Sequence, residues 1–282
     1  MTESEAASIA TAGQEARNLL LRVVAALVMA PLAVAIAYVG GWFWTVLVTV
    51  AAIGLYVEWL TVIGARKPRL VLLGILILLA VGGLDAGPIN EIYVAGFVAL
   101  GILAVGVFSP ERRAWAAAGI GYALAASIAS SVVRLDPIWG FAALMLVLLV
   151  VWATDIGGYF AGRLIGGPKL WPRVSPKKTW AGAIGGFVAS LGVAGGFAAF
   201  GFGKALPLLL LATALSVASQ LGDLFESAVK RRFGVKDSSH IIPGHGGLMD
   251  RLDGFVAAIV LAAIFGFLRG GADGVGRGLM VW

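Results

Sequence analysis

Apolar blocks of about 20 residues alternate along the chain with short polar segments. An α-helix of about this length crosses a hydrocarbon core of about 30 Å, and a helix satisfies all of its own backbone groups in lipid. We therefore predict an all-α polytopic membrane protein of about nine transmembrane helices, of which the third is short and tilted or partly re-entrant. They lie near residues 19–39, 42–63, 70–84, 92–108, 114–133, 138–162, 180–200, 205–229 and 251–268.

Basic residues are distributed unevenly between the predicted loops, and this distribution predicts the orientation. Cytoplasmic loops of membrane proteins carry an excess of Lys and Arg, so the N-terminus is predicted to be cytoplasmic and the C-terminus outside. An odd number of spans is needed for this arrangement. Of the 21 basic residues, 17 fall on the side of the N-terminus: Arg17, Arg22, Arg66, Lys67, Arg69, Arg112, Arg113, Arg163, Lys169, Arg173, Lys177, Lys178, Lys230, Arg231, Arg232, Lys236 and Arg251.

The predicted organisation is one membrane domain with short ends. Residues 1–18 are mixed acidic and polar and are predicted to form a tail, followed by an uncleaved first span, because a signal peptide has a basic start and a shorter apolar core. Residues 19–137 form the N-terminal helices, and residues 138–268 carry the two loops richest in charge, 163–179 and 230–250. Residues 269–282 are predicted to be a C-terminal tail.

Composition narrows the class of protein. Hydrophobic residues make up 60% of the 282 residues and charged residues 13%, with a mean hydropathy of +0.96, whereas about a quarter of a soluble domain is charged. The net charge of +6 is concentrated in loops beside the spans, so we predict a lipid bilayer and no nucleic acid as partner. The chain has no cysteine, which excludes disulfides, thiolate nucleophiles and thiolate metal sites.

Small residues recur at four-residue spacing in two neighbouring spans. That interval lets helix backbones approach closely in lipid, so the pattern predicts tight packing and not a binding site. The residues are Gly158, Gly162 and Gly166 in one span, and Gly182, Gly186, Ser190 and Ala194 in the next.

The first cluster with candidate chemistry is the segment WATDIGGYFAGRLIGG. Asp155, Tyr159 and Arg163 follow one another at four-residue spacing near the end of a span, so they share one helix face. Ionisable groups inside spans are costly and are usually functional. The alternative is a buried charge network that only holds helices together.

The second cluster is the segment PRVSPKKTWAGAIGG. Ser175 and Pro176 are predicted to form a turn, after which Lys177, Lys178 and Thr179 enter the next helix. A helix N-terminus offers free N–H groups and a positive dipole end, so this combination predicts a phosphate-binding site. The alternative is a basic cytoplasmic flank with a helix cap.

The third cluster combines the end of one span with the start of the last one. Asp223, Glu226 and Lys230 share a helix face, and Asp250 and Asp253 begin the last span. Carboxylates from two helices are hard oxygen donors that suit Mg²⁺ together with substrate phosphates, and the intervening glycine pairs permit sharp bends.

Structural alternatives also remain for this third cluster. Asp250 is equally placed to cap a helix, and Asp253 to pair with Arg251 or Lys230. A lone histidine such as His240 is more typical of an interfacial polar residue than of a ligand.

The residues of these clusters resemble a known family. The segment Ser227-Ala-Val-Lys230-Arg231, the pair Lys236-Asp237 and the run from Pro243 to Asp253, which includes GHGGLMDRLD, closely resemble the signature of phosphatidate cytidylyltransferases. SPKKTWAG and TDIGGYFAGRLIGG resemble further blocks of that family. The resemblance covers residues 155–254, whereas the first half matches only as a set of spans. Ala181 departs from it, because members often have an acidic residue there, and no role is carried over to that position.

The resemblance implies a reaction and a location. CTP and phosphatidate would react to CDP-diacylglycerol and pyrophosphate in phospholipid biosynthesis, on the cytoplasmic face of the cell (inner) membrane. Asp223 and Asp250 would be metal ligands for Mg²⁺, with a second ion such as K⁺ in known members. A characterised relative is dimeric, so a homodimer is also implied.

Roles for the remaining candidates follow from this reaction. Asp253 and Glu226 are candidates for further metal ligands or for residues that support them, and His245 for a residue that binds phosphate or orders its loop. Asp155 and Arg163 are candidates for substrate binding. The residues expected to hold the triphosphate and the departing pyrophosphate are Lys230, Arg231, Ser175, Lys177, Lys178 and Thr179.

Three other functions are compatible with part of this pattern. A CTP-dependent polyprenol kinase would transfer the γ-phosphoryl group to a lipid alcohol, and the length of the GHGGLMDRLD match argues against it. A CDP-alcohol phosphatidyltransferase spaces its aspartates as D-x-x-x-D, whereas only two residues separate Asp250 from Asp253. A transporter would carry an ion on Asp155, Asp223 and Asp250, but the chain shows no matching second half.

Overall fold

The computed structural model describes residues 28–85, 91–239 and 246–282. Within these ranges the chain forms ten α-helices, two short strands and two single 3₁₀ turns. The helices are α1 Val28–Val39, α2 Gly41–Val62, α3 Pro68–Asp85, α4 Glu91–Phe108, α5 Arg113–Leu135, α6 Gly140–Leu164, α7 Trp180–Ala199, α8 Ala205–Arg232, α9 Met249–Gly270 and α10 Val275–Met280. The strands are β1 Lys169–Trp171 and β2 Ser175–Thr179.

The predicted helical membrane architecture is confirmed, since each of the predicted spans overlaps one of the helices α1 to α9. Six helices in the described ranges are long and apolar enough to cross a membrane, namely α2, α5, α6, α7, α8 and α9. The apolar segments Val28–Val39, Pro68–Leu84 and Val94–Phe108 are shorter. Nine spans and the orientation of the termini therefore stay predictions.

The all-α class is confirmed, and the segment between α6 and α7 adds one short β-hairpin to the helices. Lys169 pairs with Thr179 and Trp171 with Ser175 in an antiparallel sheet. The chain reverses over residues 172–174, where the N–H of Val174 donates to the carbonyl of Trp171, and not at the predicted Ser175–Pro176 turn. Proline is tolerated in edge strands, and both strands of a two-stranded sheet are edges.

Helices α6 and α7 pack closely through their small residues, as predicted. A Cβ added to Gly182 would lie 2.8 Å from the carbonyl oxygen of Gly158, and one added to Gly162 would lie 3.1 Å from Thr179 Oγ1. Gly186 is buried against Thr154. Gly166 differs from the prediction: it lies beyond the end of α6 with φ of 68° and serves the connection to the hairpin.

The C-terminal residues form part of the bundle, although residues 269–282 are predicted to be a tail. Helix α10 returns against α9, and Val275, Leu279 and Met280 are buried. Asp136 Oδ2 accepts the backbone N–H of Arg277 at 2.9 Å, which ties this segment to the α5–α6 junction. The predicted N-terminal tail, residues 1–18, lies outside the described residues.

The basic loops gather at one end of the bundle. Arg232 lies over the ring of Trp115 at 5.5 Å, and Lys67 contacts Glu111 at 3.4 Å. At the other end of α5, Arg134 donates to the carbonyl of Tyr38. The loops predicted to share one membrane face thus share one end of the molecule.

An aromatic cluster supports this basic end. The ring of Trp59 in α2 stacks on Tyr122 at 5.5 Å and on Phe225 at 6.2 Å, and its Nε1 donates to the carbonyl of Trp115 at 2.8 Å. Aromatic pairs contribute about 0.5–1.5 kcal/mol beyond the area that they bury. The cluster fixes the α8 turn that carries Asp223 and Glu226 against α2 and α5.

Candidate active site

A cavity of about 600 Å³ opens between α6, the hairpin, α7, α8 and α9. All three clusters identified in the sequence contribute side chains to its wall. The charged side chains that line it are Asp155, Arg163, Lys177, Lys178, Asp223, Asp250, Arg251 and Asp253.

Helix α6 supplies one polar stripe to this cavity. Asp155, Tyr159 and Arg163 all line it, as their spacing predicts, and Arg163 Nη1 donates to Tyr159 Oη at 2.7 Å. Asp155 and Arg163 are exposed. Their exposure in the cavity favours the functional interpretation over a buried network that only holds helices together.

The hairpin supplies two lysines from a strand and not from a helix, because Lys177 and Lys178 precede the first turn of α7. Lys178 Nζ forms an ion pair with the carboxylate of Asp223 in α8, and both side chains are 28% exposed. Thr179 is the N-cap of α7, and its Oγ1 accepts the N–H of Gly182 at 3.1 Å. The predicted helix thus begins only after Thr179, whose hydroxyl already binds one of the N–H groups that were predicted to bind phosphate.

Asp250 in α9 is held by several donors. Its Oδ1 accepts from Lys230 Nζ at 2.5 Å. Its Oδ2 accepts the N–H of Gly247 at 2.9 Å and lies 3.1 Å from the nitrogen and 3.0 Å from the hydroxyl of Ser238. The N–H groups that it accepts belong to residues before α9, so Asp250 orders the segment that leads into the helix and does not cap its first turn. Asp250 also faces the cavity.

Lys230 connects the two helices that carry the acidic residues. Its Nζ lies 2.8 Å from Glu226 Oε1 in α8 and 2.5 Å from Asp250 Oδ1 in α9. Glu226 is 1% exposed, and a buried carboxylate left without its cation would be strongly unfavourable. Lys230 is therefore an internal counter-ion of the acidic cluster and reaches the cavity through Asp250.

Helices α8 and α9 approach closely where their aspartates face the cavity. A Cβ added to Gly222 would lie 2.6 Å from the carbonyl oxygen of Asp253, so only glycine permits this contact. Asp253 lines the cavity, and its Oδ1 accepts the N–H of Gly254 at 2.7 Å. The contact brings Asp223 and Asp253 to the same cavity from two helices.

Glu58 in α2 is a residue that the sequence analysis missed. It is 1% exposed and accepts from the N–H groups of Leu248 and Met249 at 2.8 and 2.7 Å and from the hydroxyls of Ser238 and Ser239 at 2.8 and 2.6 Å. The hydroxyl of Ser238 also lies within 3.0 Å of Asp250. The sequence did contain a signal for Glu58, because an ionisable residue within an apolar span is energetically costly and is usually functional.

The other candidates lie away from the cavity wall or outside the described residues. Arg231 Nη1 donates to the carbonyl of Val235 at 3.2 Å and closes the end of α8. Ser175 pairs with Trp171 in the hairpin and does not line the cavity. His245 and His240 fall in residues 240–245, which are not described.

The carboxylate groups around the cavity are of the chemical type that binds a divalent cation. Four carboxylates line it, those of Asp155, Asp223, Asp250 and Asp253, and carboxylate oxygens suit Mg²⁺. No set of three or more acidic or His side chains in the described ranges is already arranged around a single point. The ammonium groups of Lys178 and Lys230 lie against Asp223 and Asp250, where they place positive charge beside the predicted ligands.

Comparison with known proteins finds a matching family and several relatives. The cytidylyltransferase family matches residues 20–268. A phosphatidate cytidylyltransferase of Brucella suis biovar 1 (strain 1330) is 41% identical over 266 residues, which cover 88% of this chain and 93% of that protein. One from Haemophilus influenzae is 45% identical over 138 residues, 47% of this chain and 48% of its own. One from Staphylococcus saprophyticus is 51% identical over 123 residues, 43% of this chain and 47% of its own.

Proposed function

The chain belongs to the cytidylyltransferase family, and from this membership we propose that it transfers the cytidylyl group of CTP to phosphatidate. An oxygen of the phosphatidate phosphate attacks the α-phosphorus of CTP, and the bond from that phosphorus to the bridging oxygen of the β-phosphate breaks. The products are CDP-diacylglycerol and pyrophosphate. The enzyme is thus a nucleotidyltransferase of phospholipid biosynthesis.

One observation carries the proposal: three sequence clusters that lie far apart meet in a single cavity at the basic end of the bundle. Its wall combines lysine and arginine side chains with four carboxylates. Two phosphate-bearing substrates need cationic groups around the phosphates. The carboxylates can coordinate a metal ion and can accept hydrogen bonds from the hydroxyl groups of a nucleotide.

The residues of the cavity act by binding and electrostatics. Lys177, Lys178 and Arg163 bind the triphosphate and stabilise the charge that develops on its oxygens as pyrophosphate departs. No side chain is needed as a general base, because the second pKa of a phosphate monoester is about 6 and the nucleophile is already largely ionised at neutral pH. Positioning of the two phosphates is the main contribution of the protein.

Asp223 and Asp250 are the proposed ligands of a bound Mg²⁺ ion, which would neutralise phosphate charge and orient the reacting groups. By the resemblance to the family, a second ion such as K⁺ belongs to the same centre. Before such binding, Lys178 and Lys230 balance the charge of these two carboxylates. Asp253 and Asp155 lie on the same cavity wall and are proposed to bind or orient the substrates and the ions.

The membrane arrangement follows from the distribution of charge. We propose nine spans with the basic end and the cavity on the cytoplasmic side of the cell membrane, the side on which CTP is available. The gathering of the basic loops at one end of the bundle supports this orientation. A homodimer is proposed on the resemblance to the family alone.

Pyrophosphate release by the protein purified in detergent tests the function. With CTP, dioleoyl-phosphatidate and Mg²⁺, label in the α-phosphate of CTP is expected in the lipid, and pyrophosphate in equal amount. Label from the γ-phosphate in the lipid would instead indicate a lipid kinase. Ion flux in vesicles without CTP consumption would indicate a transporter.

A further inference from the structure

A second cavity, of about 210 Å³, lies between α1, α2, α5, α6 and α9, and we call it the apolar groove. Two polar groups at its wall already have partners. Trp44 Nε1 donates to the carbonyl of Ser130 at 3.1 Å, and Ser130 Oγ donates to the carbonyl of Ala126 at 2.7 Å. Water needs two to four polar partners, so the groove suits an apolar ligand.

The length of the groove matches one leaflet of a bilayer. Along α2 its wall extends from Trp44 to Leu55, which at 1.5 Å per residue is about 16 Å. Half of a hydrocarbon core of about 30 Å is about 15 Å. The groove thus has the length of an extended acyl chain in one leaflet.

Helix α6 contributes residues to both the groove and the candidate active site. Leu148 and Trp152 line the groove, whereas Asp155 and Tyr159 line the active-site cavity. These four residues are at positions i, i+4, i+7 and i+11 and share one helix face. Trp152 lies about 4.5 Å from Asp155 along the helix axis, so the apolar part of the stripe begins one turn deeper in the bundle than the polar part.

Helix α9 separates the same two cavities. Leu248 and Leu252 face the groove, whereas Asp250 and Asp253 line the active-site cavity. The end of the groove at Leu55 lies in α2 less than one turn before Glu58, which binds the start of α9. The groove therefore begins beside the phosphate-binding region and extends away from it.

We propose that the apolar groove binds one fatty acyl chain of the lipid substrate while the phosphate of that lipid lies in the active-site cavity. The proposal rests on the function proposed above, because it identifies the lipid as the one that reacts. It makes α1 and α2, which precede the signature segments of residues 155–254, a determinant of acyl-chain length.

A substitution deep in the groove tests the proposal. Ala33 of α1 lines the groove, and Ala33→Phe reduces its depth without reaching the active-site cavity. We expect kcat/KM for dioleoyl-phosphatidate to fall about tenfold or more, since one to a few methylenes in an apolar site are worth about 10–200-fold. Activity with dihexanoyl-phosphatidate in the same micelles should stay unchanged, because short chains end above the substituted position.

Two further variants complete the experiment. Ala35→Phe, two residues away on the exposed face of α1, should change activity with neither substrate. Ala51→Leu, a smaller addition halfway along the groove, should lower dioleoyl activity selectively and by less. Equal effects on both substrates, or no effect of either groove variant, would overturn the acyl-chain assignment. Lack of turnover by the unsubstituted protein would refute the proposed function instead.

Discussion

Glu58 in α2 and Met249 in α9 are joined by a hydrogen bond of 2.7 Å across 191 positions of the sequence. The first turn of a helix has N–H groups without partners inside the helix, and a carboxylate there also interacts favourably with the helix dipole. Glu58 therefore holds the start of α9, the turn that carries Asp250. The N-terminal helices, which precede the signature segments of residues 155–254, support the site directly.

Replacing Glu58 should affect both stability and activity. Glu58→Ala leaves the buried N–H groups of Leu248 and Met249 without their acceptor, which should destabilise the protein by about 3 kcal/mol or more. Displacement of Asp250 should also lower kcat. Glu58→Gln keeps one acceptor oxygen and should have a smaller effect. Thermal unfolding and turnover in detergent measure both.

The matched control for Glu58 is Thr61→Ala. Thr61 lies in the same helix, is exposed and donates to the carbonyl of Val57. This variant should unfold and turn over like the unsubstituted protein. A Glu58→Ala protein with unchanged unfolding temperature and kcat would refute the supporting role of Glu58.

Asp250→Asn should leave the protein folded in the membrane but nearly abolish turnover. The neutral amide still accepts one or two of the present hydrogen bonds, but it removes the negative charge that faces Lys230 and the proposed cation. Loss of such an electrostatic group typically costs about 100-fold or more in kcat. Asp273 is an exposed carboxylate beyond the other end of α9, and Asp273→Asn should leave turnover unchanged. A near-normal rate for Asp250→Asn would contradict the ligand assignment.

The two lysines of the hairpin should determine the CTP requirement. The double variant Lys177→Ala, Lys178→Ala removes two cations from the cavity wall. We expect KM for CTP to rise about tenfold or more, because hydrogen bonds to charged groups contribute about 1.5–3 kcal/mol each. Lys169→Ala, in the other strand and away from the cavity, serves as the control. If only KM for phosphatidate rises, the hairpin binds the lipid head group.

Metal removal should abolish the reaction reversibly. A chelator is expected to eliminate pyrophosphate release by the purified protein, and excess Mg²⁺ should restore it, because the negative charge of two phosphate substrates needs a cation at the reacting centre. Asp223→Asn should raise the Mg²⁺ concentration needed for half-maximal rate. Full activity in the presence of chelator would contradict metal dependence.

The helices, and the meeting of the three clusters in one cavity, could be predicted because the sequence signals for them are patterns among neighbouring residues. Apolar length locates helices in lipid, and four-residue spacing places Asp155 and Arg163 on one face. The hairpin could not be predicted, because a five-residue strand containing Pro176 and two lysines shows no alternation of apolar and polar residues. Glu58 was missed because its partners lie in a segment remote in sequence, and no local pattern indicates them.

The central claim is that Asp223 of α8 and Asp250 of α9 bind one divalent cation together. The most direct measurement is Mn²⁺ binding by electron paramagnetic resonance, in place of Mg²⁺, to the purified protein and to Asp223→Asn and Asp250→Asn. We predict a bound Mn²⁺ in the unsubstituted protein and strongly weakened binding in each variant. Binding of unchanged affinity in both variants would contradict the claim.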